Sequence, residues 1–154
     1  MRIRHYVEGE ETLLWDIYYH TIHNINIKDY SESQIFAWAP IDLDQEIWIG
    51  KIKAINPFVV EYEDEILGYA DLQSDGLIDH FYCSHRWQRK GVGSMLMERI
   101  HQEAKAEGIA TLISEVSITA KPFYMSHGFS VIEEQYLEIR GQKLSNYKMQ
   151  KVLR

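Results

Sequence analysis

Seven consecutive residues, Gln88-Arg89-Lys90-Gly91-Val92-Gly93-Ser94, carry the strongest chemical signal in the chain. Gly91 and Gly93 remove the Cβ atoms that would hold a ligand off the backbone. The segment runs into an apolar pattern of helical spacing, so successive N–H groups can converge on one point. The positive end of the helix dipole adds to that attraction. Arg89 and Lys90 contribute charge at the rim. Together these features suit a pyrophosphate. Two other phosphate loops are excluded. A P-loop needs Gly-x4-Gly-Lys-Ser/Thr, which occurs nowhere in the chain. A dinucleotide fingerprint needs glycine three residues after Gly93, where Leu96 stands.

Other reactive side chains argue for less. Cys83 is the only cysteine; with no base and orienting group readable beside it, it reads as a small apolar strand residue rather than a nucleophile. His20 and His23 have the i, i+3 spacing of a metal pair, but no further ligands stand at suitable spacing, so they read as a polar helix face and no metal is expected. Trp15, Trp38, Trp48 and Trp87 read as packing residues.

The elements that must position the loop follow from periodicity. Met1–Tyr6 suits a strand. Leu14, Ile17, Tyr18 and Ile22 fall at helical spacing over Glu11–Asn24. Ser31 and Gln34 form a capping-box pattern for a short helix through Ala39, closed by Pro40. A third helical piece is expected over Leu43–Ile52. Pro57–Tyr62 and Ile66–Leu72 read as a β-hairpin, and Asp75-Gly76 turns the chain into a strand over Leu77–Cys83. Helix then spans Gly91–Ala106, with Gly108 as a stop. Thr111–Val116 (strand), Thr119–His127 (helix), Phe129–Ile139 and Gln142–Val152 (strands) complete the chain. The order predicts an α/β fold, a mixed sheet with helices on its faces, in one domain over residues 1–154.

Composition bounds the partners. The 154 residues are 45% apolar and 25% charged, ordinary values for a globular protein. No run approaches the length needed to span a bilayer. The opening MRIRHYVEGEE turns polar within ten residues, unlike a signal peptide. With a lone cysteine, this leads us to expect a cytoplasmic location. Sixteen basic against 23 acidic residues give a net charge of −7, which disfavours nucleic acid and suits a cationic substrate better than an anionic one. Strand edges near the C-terminus would suit a homodimer.

The loop resembles the Gln/Arg-x-x-Gly-x-Gly/Ala motif of the GNAT superfamily of N-acetyltransferases. Downstream, the family pattern Asn-x-x-Ala-x-x-Phe-Tyr-x-x-x-Gly-Phe is similar to Ser117-Ile118-Thr119-Ala120-Lys121-Pro122-Phe123-Tyr124-Met125-Ser126-His127-Gly128-Phe129, with Ser117 in place of the asparagine. SITAKPFYMSHGF, YSESQIFAWAP and YLEIRGQKLSNYKMQK look like a bacterial branch of YafP-like acetyltransferases. The likeness covers nearly the whole chain.

The resemblance implies the GNAT fold and acetyl-coenzyme A as co-substrate. It implies a pyrophosphate on Gln88, Arg89, Lys90, Gly91, Val92, Gly93 and Ser94, and a pantetheine arm along Phe81, Tyr82 and Cys83, with Ser117 nearby. The arm would lie between Ile78–Cys83 and Thr111–Val116, where two parallel strands part. An amine would attack the thioester directly in a ternary complex. Tyr124 matches the family's tyrosine: a phenol of pKa about 10 can protonate a departing thiolate whose thiol sits near 8.5. For the base that neutralises the amine, Asp79 is the first candidate, with His80 and Glu115 behind it. Tyr30 and Trp38 would line the acceptor site. The alternatives are a non-catalytic acyl-coenzyme A sensor of the same fold and a nucleotide-dependent transferase.

Overall fold

The computed structural model describes residues 1–153. The chain runs β1 (Arg2–His5), α1 (Glu11–Asn24), a 3-10 turn (Asn26–Lys28), α2 (Glu32–Trp38), α3 (Gln45–Ile55), β2 (Phe58–Tyr62) and β3 (Glu65–Ala70). It continues as β4 (Leu77–Ile78), β5 (Phe81–Cys83), α4 (Val92–Ala106), β6 (Thr111–Ser117), α5 (Lys121–Ser126), β7 (Ser130–Ile139) and β8 (Gln142–Val152). The capping box forms as its residues dictate: Ser31 Oγ accepts from the Gln34 amide at 3.1 Å, and Gln34 Oε1 accepts from the Ser31 amide at 2.8 Å. Helix α3 starts and ends later than periodicity suggests. Asp44 caps its first turn through the Glu46 amide at 2.9 Å, and Asn56, at φ 44°, ends it ahead of Pro57.

The α/β class and the element order are those expected, but the sheet is divided. Strands β1-β2-β3-β5 form one antiparallel sheet; β4-β6-β8-β7 form another, in which only the β4–β6 pair is parallel. The single strand expected over Leu77–Cys83 is therefore two. Leu77–Ile78 belongs to one sheet, Phe81–Cys83 to the other, and Asp79 and His80 lie at the break.

Helix α4 bridges the two sheets. Its buried stripe of Val92, Leu96, Met97, Ile100 and Ala104 packs on Phe58, Val60 and Leu67 from one sheet and on Leu112, Val116 and Met149 from the other. Burying each large side chain contributes about 1.5–3 kcal/mol, so the helix start is held firmly beside the end of β5. On the opposite side, Leu14, Ile17, Trp48 and Ile52 of α1 and α3 cover Val59 and Tyr69. Ile22, Tyr30, Ile35 and Ala39 close over Leu144 of β8. No helix among the described residues is long and apolar enough to cross a membrane.

Candidate active site

The break between β4 and β5 opens a wedge. Strand β4 pairs with β6 only at Leu77–Ile113 and Ile78–Ser114, after which β5 pairs with β3 on its other side. The Ser84 amide donates to Leu67 O at 2.8 Å and the His80 carbonyl accepts from the Asp71 amide at 3.2 Å. Antiparallel alternation then turns the backbone of Tyr82 toward β3 and that of Phe81 and Cys83 toward the gap. The Cys83 carbonyl is occupied, accepting from Thr21 Oγ1 at 2.8 Å and Gln88 Nε2 at 2.9 Å. Its amide and both Phe81 backbone groups remain directed into the wedge, where an extended ligand could add as a strand. Tyr82 points elsewhere: its ring meets Tyr18 edge-on at 4.9 Å.

At the wide end of the wedge lies the glycine loop. Gly91 holds φ at 90° as the N-cap of α4, with no side chain capping the helix. The first amides of the helix, Gly91–Ser94, therefore have no intrahelical acceptor and form a cradle. A Cβ built on Gly91 would meet nothing within 4 Å, so that side of the cradle is open. Gly93 is different: a Cβ there would lie 3.0 Å from the Phe123 ring and 3.5 Å from Cys83 Sγ. Close packing on α5 requires this glycine, in addition to any ligand. Arg89 and Lys90 are exposed at the rim. The Gln88 side chain faces inward, donating also to Ser84 O at 3.1 Å, and so buttresses the loop. These open amides and the free strand edge fit a pyrophosphate bearing an extended arm.

Tyr124 stands at the narrow end of the wedge. Pro122 in the first turn of α5 and Gly128 just past its end confine the helix to six residues. Tyr124 is thereby buried against Phe81 and Phe129, at 5.8 and 5.0 Å. Its hydroxyl lies 3.4 Å from Ser114 Oγ. Burial pushes the phenol well above its ordinary value, so it remains a proton donor. The same dryness pushes the Cys83 thiol up to about 12; with no base in contact, that thiol is inert.

From Tyr124 a cleft of about 350 Å³ extends to an aromatic wall of Tyr18, Tyr30, Trp38 and Tyr82. Tyr30 is fixed by donating to Ser145 O at 2.8 Å and accepting from the Ile118 amide at 3.0 Å. Among the described residues, Asp79 and Glu115 are the only charged side chains lining this cleft. Asp79 Oδ2 is paired with Lys51 Nζ at 2.5 Å. His80 stacks on Tyr18 at 5.5 Å, with Nδ1 2.9 Å from the Tyr69 hydroxyl. Burial lowers its pKa to about 4, against the opposing pull of Asp79, so it is neutral. Ser117 Oγ accepts from the Ala120 amide at 3.0 Å and from Asn26 Nδ2 at 3.3 Å, which commits it to the turn into α5.

A family model described as an acetyltransferase (GNAT) domain matches residues 26–152. The chain belongs to the GNAT acetyltransferases. It is 30% identical over 149 residues to the uncharacterized N-acetyltransferase YafP of Escherichia coli (strain K12), covering 97% of this chain and 94% of that protein. The fold is shared with a GCN5-related N-acetyltransferase from Rhodopseudomonas palustris, at TM-score 0.94 and 24% identity over 99% of this chain and 95% of that one. It is shared also with the PaiA N-acetyltransferase of Thermoplasma acidophilum, solved in complex with coenzyme A (TM-score 0.74, 17% identity, 98% of each chain).

The GNAT fold gathers Phe81, Cys83, Gly91, Gly93 and Tyr124 around the wedge, and Asp79, His80 and Glu115 along the cleft beyond it. Ser114, which meets Tyr124, and Thr21, which anchors the Cys83 carbonyl, carry no sequence signal: each is an isolated hydroxyl that acts through a distant partner. Among the described residues no group of three or more His, Cys, Asp or Glu side chains is arranged to hold a metal.

Proposed function

We propose that the chain works as one domain that transfers an acetyl group from acetyl-coenzyme A to an amine, by direct attack within a ternary complex. The observation that carries this is the wedge, which runs from uncapped helix amides at one end to a buried tyrosine hydroxyl at the other. Acetyl-coenzyme A supplies the thioester carbon that the amine attacks and the sulfur that leaves.

The amides of Gly91, Val92, Gly93 and Ser94 bind the pyrophosphate, with Arg89 and Lys90 adding charge and Gln88 holding the loop. Phe81 and Cys83 bind the pantetheine arm through their backbone. Tyr82 and Ser117 shape the walls of this site. Tyr124 donates its proton to the leaving sulfur as the carbon–sulfur bond breaks. A raised phenol pKa does not oppose this, because the same dry surroundings raise a thiol, as they do Cys83. The acceptor enters along the aromatic wall. Among the described residues the lining holds Asp79 and Glu115 and no Lys or Arg. Asp79 is paired with Lys51, and the remaining charge of Glu115 with the aromatic wall suits a cationic amine. Asp79 takes the proton that makes it nucleophilic, through the oxygen that Lys51 leaves free. A second base, His80, is favoured by its neutral state in the same cleft.

The test is turnover. Purified protein and acetyl-coenzyme A are incubated with a panel of diamines, amino acids and peptides, and free thiol release is followed. Acetylation of cationic amines above neutral or anionic ones supports the proposal. Binding of acetyl-coenzyme A with no thiol released for any amine would leave a sensor module instead.

A further inference from the structure

Two successive backbone amides at the β4–β5 break, those of Asp79 and His80, are satisfied by a side chain rather than by a neighbouring strand, and a side chain also reaches the carbonyl just before them. The Ile78 carbonyl accepts from Ser114 Oγ at 2.9 Å. The Asp79 and His80 amides both donate to one oxygen of Asp71, Oδ1, at 2.9 and 2.6 Å. Asp71 is fully buried. Its other oxygen accepts from Gln73 Nε2 at 2.6 Å, and that nitrogen also donates to Ile55 O at 3.1 Å. The Asp71 amide meanwhile donates to the His80 carbonyl at 3.2 Å. One residue thus grips both the N–H and the C=O of His80.

We propose that Asp71 is a positioning residue for the acyl-donor site: its carboxylate curls the backbone at Asp79–His80 and so sets the angle at which β5 leaves β6. Two successive amides can reach one oxygen only if the chain departs from the extended form, in which they point to opposite sides. Without that acceptor the two amides would seek partners on β6, and the wedge would narrow where the pantetheine arm must lie. The curl also delivers the Asp79 and His80 side chains to the cleft. Asp71 itself does not line the cleft and touches neither the donor nor the acceptor. The proposal rests on the acetyltransferase reading above.

Calorimetry with two probes separates this role from general support of the fold. Acetyl-coenzyme A uses both the loop and the wedge; 3′-phospho-ADP, its nucleotide half, uses the loop alone. For Asp71→Ala, affinity for acetyl-coenzyme A should fall by about tenfold or more, the scale of an orphaned buried amide, while 3′-phospho-ADP binds as in wild type. Asp71→Asn, which keeps an oxygen for both amides, should restore most of that loss. Unchanged acetyl-coenzyme A binding in Asp71→Ala, or equal loss of both probes, overturns the proposal. Wild-type protein that is folded yet binds neither probe instead sinks the acetyltransferase reading, and this proposal with it. Hydrogen exchange on wild type needs no variant to fold: the Asp79 and His80 amides should exchange slowly although they lie outside both sheets. Exchange as fast as in an open loop would also overturn the proposal.

Discussion

Ser114 Oγ lies 3.4 Å from the Tyr124 hydroxyl and 2.9 Å from the Ile78 carbonyl, linking α5 to the last paired residue of β4 at the narrow end of the wedge. Because the serine proton goes to Ile78, the serine oxygen is left to accept from Tyr124. The tyrosine proton therefore has a resting partner at the point from which the proposed chemistry would draw it. The hydrogen bond is long, so little is lost when that proton moves.

Removing the phenol oxygen tests this directly. Tyr124→Phe should lower kcat by about 10²-fold, a typical general-acid loss, with acetyl-coenzyme A affinity nearly unchanged. Wild-type kcat in this variant would take Tyr124 out of the chemistry. Ser114→Ala should reduce kcat only a few-fold and cost about 1 kcal/mol of stability, read from urea unfolding.

The two glycines of the loop should fail differently. Gly91 sits at φ 90° with open space around its missing Cβ. Gly91→Val should therefore cost of order 1–2 kcal/mol in backbone strain and abolish calorimetric binding of acetyl-coenzyme A while leaving the circular dichroism spectrum intact. A Cβ on Gly93 would press on the Phe123 ring at 3.0 Å, and Tyr124 is the next residue. Gly93→Ala should lower both kcat and stability, the second by about 1–3 kcal/mol. Equal kinetic effects from the two substitutions would contradict their separate roles.

Much of this architecture is legible in the residues. Helix α1 over Glu11–Asn24 and strand β8 over Gln142–Val152 follow from apolar period and flanking turns, and the Ser31–Gln34 box forms as written. Gly91 and Tyr124 are readable because their motifs are local. The break at Asp79–His80 is not. Its cause is a carboxylate eight and nine positions away, and no periodicity marks a side chain that replaces a strand. Trp38 and Tyr30 reach the cleft only because α2 packs on β8, a tertiary fact. For Gln88 the motif marks phosphate binding, and what no local pattern shows is that its side-chain nitrogen donates to the Cys83 and Ser84 carbonyls.

Acid should expose the buried pair at the break. Burial raises the Asp71 carboxyl from 3.8 to about 6, so between those values the folded chain holds a proton that the unfolded chain releases. This contribution makes stability rise as pH falls from about 6 to 4. His80 is lowered from 6.5 to about 4, so the unfolded chain takes up a proton that the folded one refuses, and stability falls over nearly the same window. Each effect is of order 3 kcal/mol, and in wild type they oppose one another. The stability of wild type minus that of Asp71→Asn should therefore increase as pH is lowered from 7 to 4. A difference that stays constant across that range would show that Asp71 does not titrate as described.

The Asp79–Lys51 pair is partly exposed, so it contributes little to stability. Lys51→Ala should leave the unfolding free energy read from urea denaturation within about 0.5 kcal/mol of wild type while changing the pH profile of kcat, because it frees the second oxygen of the proposed base. An unaltered profile would move the base assignment from Asp79 to His80.

The most direct test of the central claim is isothermal calorimetry of the purified protein with acetyl-coenzyme A, run beside ATP and NAD. The wedge and its uncapped helix predict selective one-to-one binding of acetyl-coenzyme A in the micromolar range, lost in Gly91→Val. A folded wild-type protein that ignores acetyl-coenzyme A, or binds ATP or NAD as well, would contradict the account.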